Sequence, residues 1–179
     1  MDSIRAKLAM DLTVWADGLG RERTPRLAIR LALIEPGFQL ALSIRLQELV
    51  GRIPRIGTLC QRIVWYVTCL ATGSDVDPDA RIGGGIFFPH PYGVVIGQEA
   101  RLGRRVTILQ GVTVGRKRPD TGMPTIGDGV TLGAGAAILG PITLGDDVMV
   151  GANAVVLTDV PAGHRAVGVP ARVLPPESP

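Results

Sequence analysis

Apolar positions along the chain follow two different rhythms that meet near residue 73. Before that point the spacing is helical. Residues 4–17 carry apolar side chains three and four apart, and Pro25 can open a second helix through LAIRLALI (27–34). Pro36-Gly37 interrupts the chain ahead of FQLALSIRLQELVG (38–51), whose closing Gly51 suits a helix C-terminus. A further apolar segment, RIVWYVTCLA (62–71), follows Pro54. Arg30, Glu35, Arg45 and Arg62 break every apolar run before it reaches the ~18 residues a spanning helix needs. Arg52, Arg55 and Arg62 near Trp65 and Tyr66 would suit a lipid surface, but packing on the helical region itself or on a sister subunit is the favoured expectation.

From residue 75 the beat changes to six. Ile96, Leu102, Ile108, Val114, Ile126, Leu132, Ile138, Leu144, Val150 and Val156 share one phase, and seven of these ten are followed directly by glycine. Four residues further on stand Ala100, Val106, Val112, Val130, Ala136, Ile142, Val148, Ala154 and Val160, with Arg118 as the exception. A simple strand would alternate every second residue and a helix every 3.6, so a sixfold beat means short strands separated by corners. Three hexads close one triangular coil of about 18 residues, and the in-phase aliphatics stack from coil to coil into a core that no single repeat could bury. One interruption, GRKRPDTGMPT (115–125), leaves twelve residues between Val114 and Ile126, so it loops out without losing phase. The expected organisation is a helical domain over 1–73, a repeat domain over 74–165 and a tail over 166–179.

Composition agrees with this picture. Aromatics are 4% while glycine numbers 24 and proline 14, as a backbone of repeated tight corners requires. The net charge of +3 fits a phosphate-bearing ligand but not a dedicated nucleic-acid binder. Cys60 and Cys69 form no CxxC and read as reduced core residues, and the N-terminus has no apolar signal block, so a cytoplasmic protein is expected.

Four segments carry a resemblance: PGFQLALSIR (36–45), DVDPDARIGGGIFFPHPYGVVIG (75–97), VTILQGVTVG (106–115) and VVLTDVPAGHRAVGVPARVL (155–174). Together they resemble the hexapeptide-repeat acyltransferases, in particular the serine acetyltransferase branch. The resemblance implies a mainly β protein: a left-handed parallel β-helix with a small N-terminal α-helical domain, working as a homotrimer or dimer of trimers on acetyl-CoA.

His90, between two prolines in FFPHPYG, is the candidate general base. Prolines restrict the backbone on either side of it, and a neutral imidazole can take the proton of an attacking hydroxyl. The resemblance gives His90 that role and matches Asp75 to a carboxylate that orients the imidazole. It also places Gly133, Ala134, Gly151 and Ala152 along a groove for the coenzyme's arm, where the lack of bulky side chains would leave backbone amides open. Arg116, Lys117 and Arg172 are candidate phosphate partners. No metal is expected: a zinc site of the carbonic anhydrases that share this fold needs three histidines, and the chain has His90 and His164.

The chain departs from the serine enzymes at three places. Gly122 and Met123 stand where they carry an Arg-His pair, and Pro89 stands where they carry an Asp. A carboxylate substrate wants a guanidinium. The short N-terminal helices and the FFPHPYG wording resemble instead the short forms that acetylate sugars in polysaccharide assembly, and that resemblance implies acetyl transfer to a hydroxyl of a sugar or other small acceptor, with serine O-acetylation as the alternative and a non-catalytic scaffold as a second alternative.

Overall fold

The computed structural model describes residues 2–176. Four helices come first: α1 Ile4–Gly18, α2 Pro25–Ile34, α3 Pro36–Val50 and α4 Gly57–Thr72. Ser3 and Thr24 cap α1 and α2 by accepting from the backbone N–H of Ala6 and Leu27, and Pro25 and Pro36 occupy first-turn positions where no backbone donor is required. Pro36-Gly37 is thus the start of α3 rather than a break before it. The chain turns by 97° between α2 and α3, and no single helix among the described residues is long and apolar enough to cross a membrane. α4 stops at Gly73, which takes the left-handed conformation that a helix C-terminus favours. Cys60 and Cys69 lie on α4 as free thiols and are partly exposed, because α4 buries little beyond Gly57 and Thr68; the core placement expected of them does not hold.

The rest is a parallel β-helix of three sheets. The first contains β1 Asp75–Val76, β3 Val95–Ile96, β6 Thr113–Gly115, β9 Ala137–Leu139 and β12 Val155–Val156. The second contains β2 Arg81–Ile82, β4 Arg101–Leu102, β7 Thr125–Ile126 and β10 Thr143–Leu144. The third contains β5 Thr107–Ile108, β8 Thr131–Leu132, β11 Met149–Val150, β13 Arg165–Val167 and β14 Arg172–Leu174. Registers follow the sixfold phase: Ile96 pairs with Val114, Ile138 with Val156, Ile126 with Leu144 and Leu132 with Val150. Val114 pairs with Ile138, twenty-four positions on, so the 115–125 segment loops out one whole hexad. Every in-phase aliphatic is buried, none more than 5% exposed.

The end differs from expectation. A separate tail was expected from residue 166, but β13 crosses that point and β14 returns antiparallel beside it, Ala166 opposite Val173. The third sheet therefore ends in a hairpin, and only 177–179 of the expected tail lie outside the described residues.

A buried polar network bolts the helices to the first coil. Arg45, 2% exposed, donates Nε to Asp11 Oδ2 at 2.9 Å and Nη2 to Asp11 Oδ1 at 3.2 Å. It also donates to the Ile82 and Gly83 carbonyls and to Glu48, which Lys7 engages in turn. Asp11 Oδ1 accepts the backbone N–H of Gly85 and Ile86, so both ions are paired and hydrogen-bonded, as burial demands.

Candidate active site

The first coil is irregular at one corner. Phe87 bridges Thr107, which sets Phe88 level with Ile108 in the third sheet. From Phe88 the chain takes eight residues to reach Ile96, where the coil above goes from Ile108 to Val114 in six. The two extra residues let the chain bulge at this corner, with His90 and Tyr92 exposed and Pro91 buried between them.

Each side of the bulge is anchored. Phe88 is fully buried, and Phe87 meets the Trp15 ring edge-on at 4.6 Å. A Cβ on Gly37 would overlap the Phe88 carbonyl oxygen and crowd Trp15 at 2.8 Å, so glycine lets α3 approach this corner. Beyond His90, buried Ser74 donates Oγ to the Pro91 carbonyl at 2.6 Å and accepts from Val94 N–H at 3.0 Å. The backbone that carries His90 is thereby anchored on both sides, and the imidazole itself makes no hydrogen bond among the described residues.

The small-residue positions expected to serve the coenzyme share this corner. Gly111 N–H donates to the Tyr92 carbonyl, Gly135 N–H to Gln110 and Asn153 N–H to Ala134, which stacks Tyr92, Gln110, Ala134 and Ala152 on successive coils, with His90 two residues before the first of them. With ~4.8 Å between coils, Ala134 lies about 10 Å and Ala152 about 14 Å along the column from Tyr92. The reason for the glycines is different from the one expected. A Cβ on Gly133 would come within 2.6 Å of the Val150 carbonyl oxygen, and one on Gly151 within 3.0 Å of Val167 Cγ1, so the adjoining coil or hairpin fills the space that was read as an open groove floor. Ala152 is exposed and Ala134 half-buried.

The basic candidates lie elsewhere on the chain. Arg116 and Lys117 leave β6 at the corner between the first and second sheets. Arg116 is tied down, donating to the Thr121 carbonyl and to Glu99 Oε2, both at 2.9 Å. Lys117 is exposed and makes no hydrogen bond or ion pair among the described residues. Arg172 is exposed on β14. Within one chain none of the three joins the column of Ala134 and Ala152.

Asp75 opens β1, but no hydrogen bond joins it to His90 among the described residues. Its Oδ1 accepts from Trp65 Nε1 at 2.9 Å instead. Cys69, on the same helix as Trp65, has its thiol pushed up by burial and then by the Asp75 carboxylate, which makes it a poor nucleophile. Met123 packs on the core, its Cε 2.8 Å from where a Gly97 Cβ would stand, and Gly122 lies against Pro141. No group of three or more His, Cys, Asp or Glu side chains among the described residues could hold a metal. The sequence reading passed over Ser74 and took Trp65 only for a surface or packing residue, not for a partner of Asp75. Ser74 had a faint signal, a lone polar residue directly before the DVDP motif; Trp65 had none, because its partner is ten residues away across a helix end.

Two family models match: the bacterial transferase hexapeptide (six repeats) over residues 123–158 and the hexapeptide repeat of succinyl-transferase over 93–117. A serine acetyltransferase of Synechococcus elongatus is 39% identical over 158 residues, 86% of this chain and 63% of the relative. The chain therefore spans less than two thirds of that relative's length. Soybean serine acetyltransferase, in a structure complexed with serine, is 38% identical with a TM-score of 0.83, covering 96% of this chain and 70% of that one. A serine acetyltransferase in complex with CoA is 34% identical with a TM-score of 0.80 and the same coverage. Coil register, the His90 corner and these likenesses agree: the chain belongs to the hexapeptide-repeat transferases, on the serine acetyltransferase branch.

Proposed function

We propose that this protein is an O-acetyltransferase that moves the acetyl group of acetyl-CoA to the hydroxyl of a small acceptor. The observation that carries the reading is His90: exposed, on an anchored bulge, two residues before the column that carries Ala134 and Ala152, in a chain 38% identical to an enzyme solved with serine. His90 takes the proton from the acceptor hydroxyl as that oxygen attacks the thioester carbonyl. The C–S bond then breaks, the imidazolium returns the proton to the departing thiolate, and the products are an acetyl ester and free coenzyme A. Asp75 stabilises the imidazolium and fixes the tautomer once the substrates have closed the site. Ala134 and Ala152 flank the coenzyme arm, Gly133 and Gly151 hold the coils that carry them, and Lys117 and Arg172 meet phosphates, from a neighbouring subunit of a trimer in our reading. Exposed Leu59, Ile63 and Leu70 on α4 offer apolar surface for such an assembly.

Serine is the acceptor that the relatives favour, over the sugar expected from sequence. A second reading, a sugar hydroxyl, rests on Met123, which packs apolar surface on the coil where the serine enzymes carry half of an Arg-His pair. Thiol release from acetyl-CoA, measured with L-serine and then with a panel of sugar nucleotides, separates the two. Turnover with serine alone supports the first and turnover with a sugar alone the second. A His90→Ala protein that stays folded and transfers acetyl undiminished would falsify the general-base assignment.

A further inference from the structure

Trp65 donates its indole N–H to Asp75 Oδ1 at 2.9 Å, while Asp75 Oδ2 has no hydrogen-bond partner among the described residues. An indole N–H can donate but neither accept nor exchange roles, so it settles which carboxylate oxygen is engaged and leaves the other free. The indole is itself held. The Arg62 guanidinium lies 5.5 Å from its ring centroid, and the same guanidinium reaches Asp77 at 4.0 Å, on the far side of β1 from Asp75 in sequence. The backbone beneath is fixed too, since Asp75 N–H donates to the Val94 carbonyl and Ser74 ties Val94 to Pro91, one residue past His90.

We infer that Trp65 is a positioning residue for acetyl transfer: it clamps one oxygen of Asp75 so that the other is presented to the imidazole of His90. This rests on the proposed role of Asp75 as the partner of the general base. Free rotation about the Asp75 side chain would otherwise have to be frozen in every turnover, and a charge-assisted hydrogen bond from a ring already packed under Arg62 freezes it beforehand. The hydrogen bond of Trp65 goes to Asp75, so in this proposal its removal acts through Asp75.

The test uses the full chain, with Trp65→Phe, Asp75→Asn and the double variant assayed by thiol release from acetyl-CoA, with whichever acceptor of the panel turns over. Trp65→Phe keeps an aromatic ring under Arg62 and removes the N–H together with part of the ring's area, and the comparison with the Asp75→Asn background separates the two losses. The expected result is a kcat about tenfold lower, an unchanged KM for acetyl-CoA, and no further loss when the substitution is added to Asp75→Asn. A normal kcat in Trp65→Phe beside an impaired Asp75→Asn overturns the clamp while leaving the role of Asp75 standing. An equal loss in both backgrounds also overturns it, because the indole would then act by packing. Full activity in Asp75→Asn removes the underlying reading, and the clamp with it. Should Trp65→Phe fail to fold, Arg62→Ala, which frees the indole, decides by the same cycle: a smaller fall in kcat that vanishes in Asp75→Asn supports the clamp, and an equal fall in both refutes it.

Discussion

Replacing Arg45 with methionine tests how the helices hold the first coil in place. The guanidinium is 2% exposed and its partner Asp11 is 1% exposed. Glu48 keeps Lys7 when Arg45 is lost, so the stranded charge is Asp11, whose carboxylate retains the Gly85 and Ile86 N–H groups but loses its ion-pair partner, while the Ile82 and Gly83 carbonyls lose a donor. Breaking a buried pair from one side costs ~3–5 kcal/mol, which for a chain of this size lowers Tm by ~6–20 °C. Adding Asp11→Asn removes the stranded charge while the amide oxygen still accepts from Gly85 and Ile86. The double variant should therefore recover ~1 kcal/mol or more relative to Arg45→Met. Thermal and urea denaturation of the three variants at one fixed protein concentration measures both effects. An Arg45→Met protein within ~1 kcal/mol of the parent, or a double variant whose losses simply add, would refute the account of the network as a mutually dependent bolt.

Gly37→Ala should destabilise by ~2 kcal/mol or more and lower kcat as well, because the new methyl has only the Phe88 carbonyl and the Trp15 ring to displace; denaturation together with thiol-release kinetics checks this. Lys117→Ala should raise KM for acetyl-CoA about threefold to tenfold with kcat unchanged, whereas Arg116→Ala should mainly loosen the 115–125 loop, seen as faster proteolysis there. The Cys69 thiol, raised by burial and by Asp75, should react with iodoacetamide more slowly than a free thiol peptide near pH 8.5. A folded-state value above the unfolded one favours the neutral form, so its small contribution to stability is present below the unfolded pKa and fades as pH climbs through the folded one. Equal alkylation rates would contradict the assignment.

Much of the scaffold was legible because hexapeptide coils are written locally. Each in-phase aliphatic from Ile96 to Val156 needs only its own hexad and the coil above and below, and all of them are buried as the sixfold beat predicts. The looped-out hexad at 115–125 was legible for the same reason: Val114 and Ile126 kept their phase. His90 was legible as chemistry, since an imidazole between two prolines is conspicuous in a chain with two histidines.

What the sequence by itself determined, then, was the repeat, its period and the residue types that could do chemistry. Only the tertiary structure decided what those residues touch. It set Asp75 on Trp65 rather than on His90, tied Arg116 to Glu99, gave Gly133 and Gly151 to coil packing, and joined Asp11 to Arg45 across 34 positions. The physical reason is one of range. Hydrophobic periodicity is a property of neighbours along the chain, whereas a hydrogen bond depends on directions within a few tenths of an ångström between groups that the chain brings together only after it has coiled.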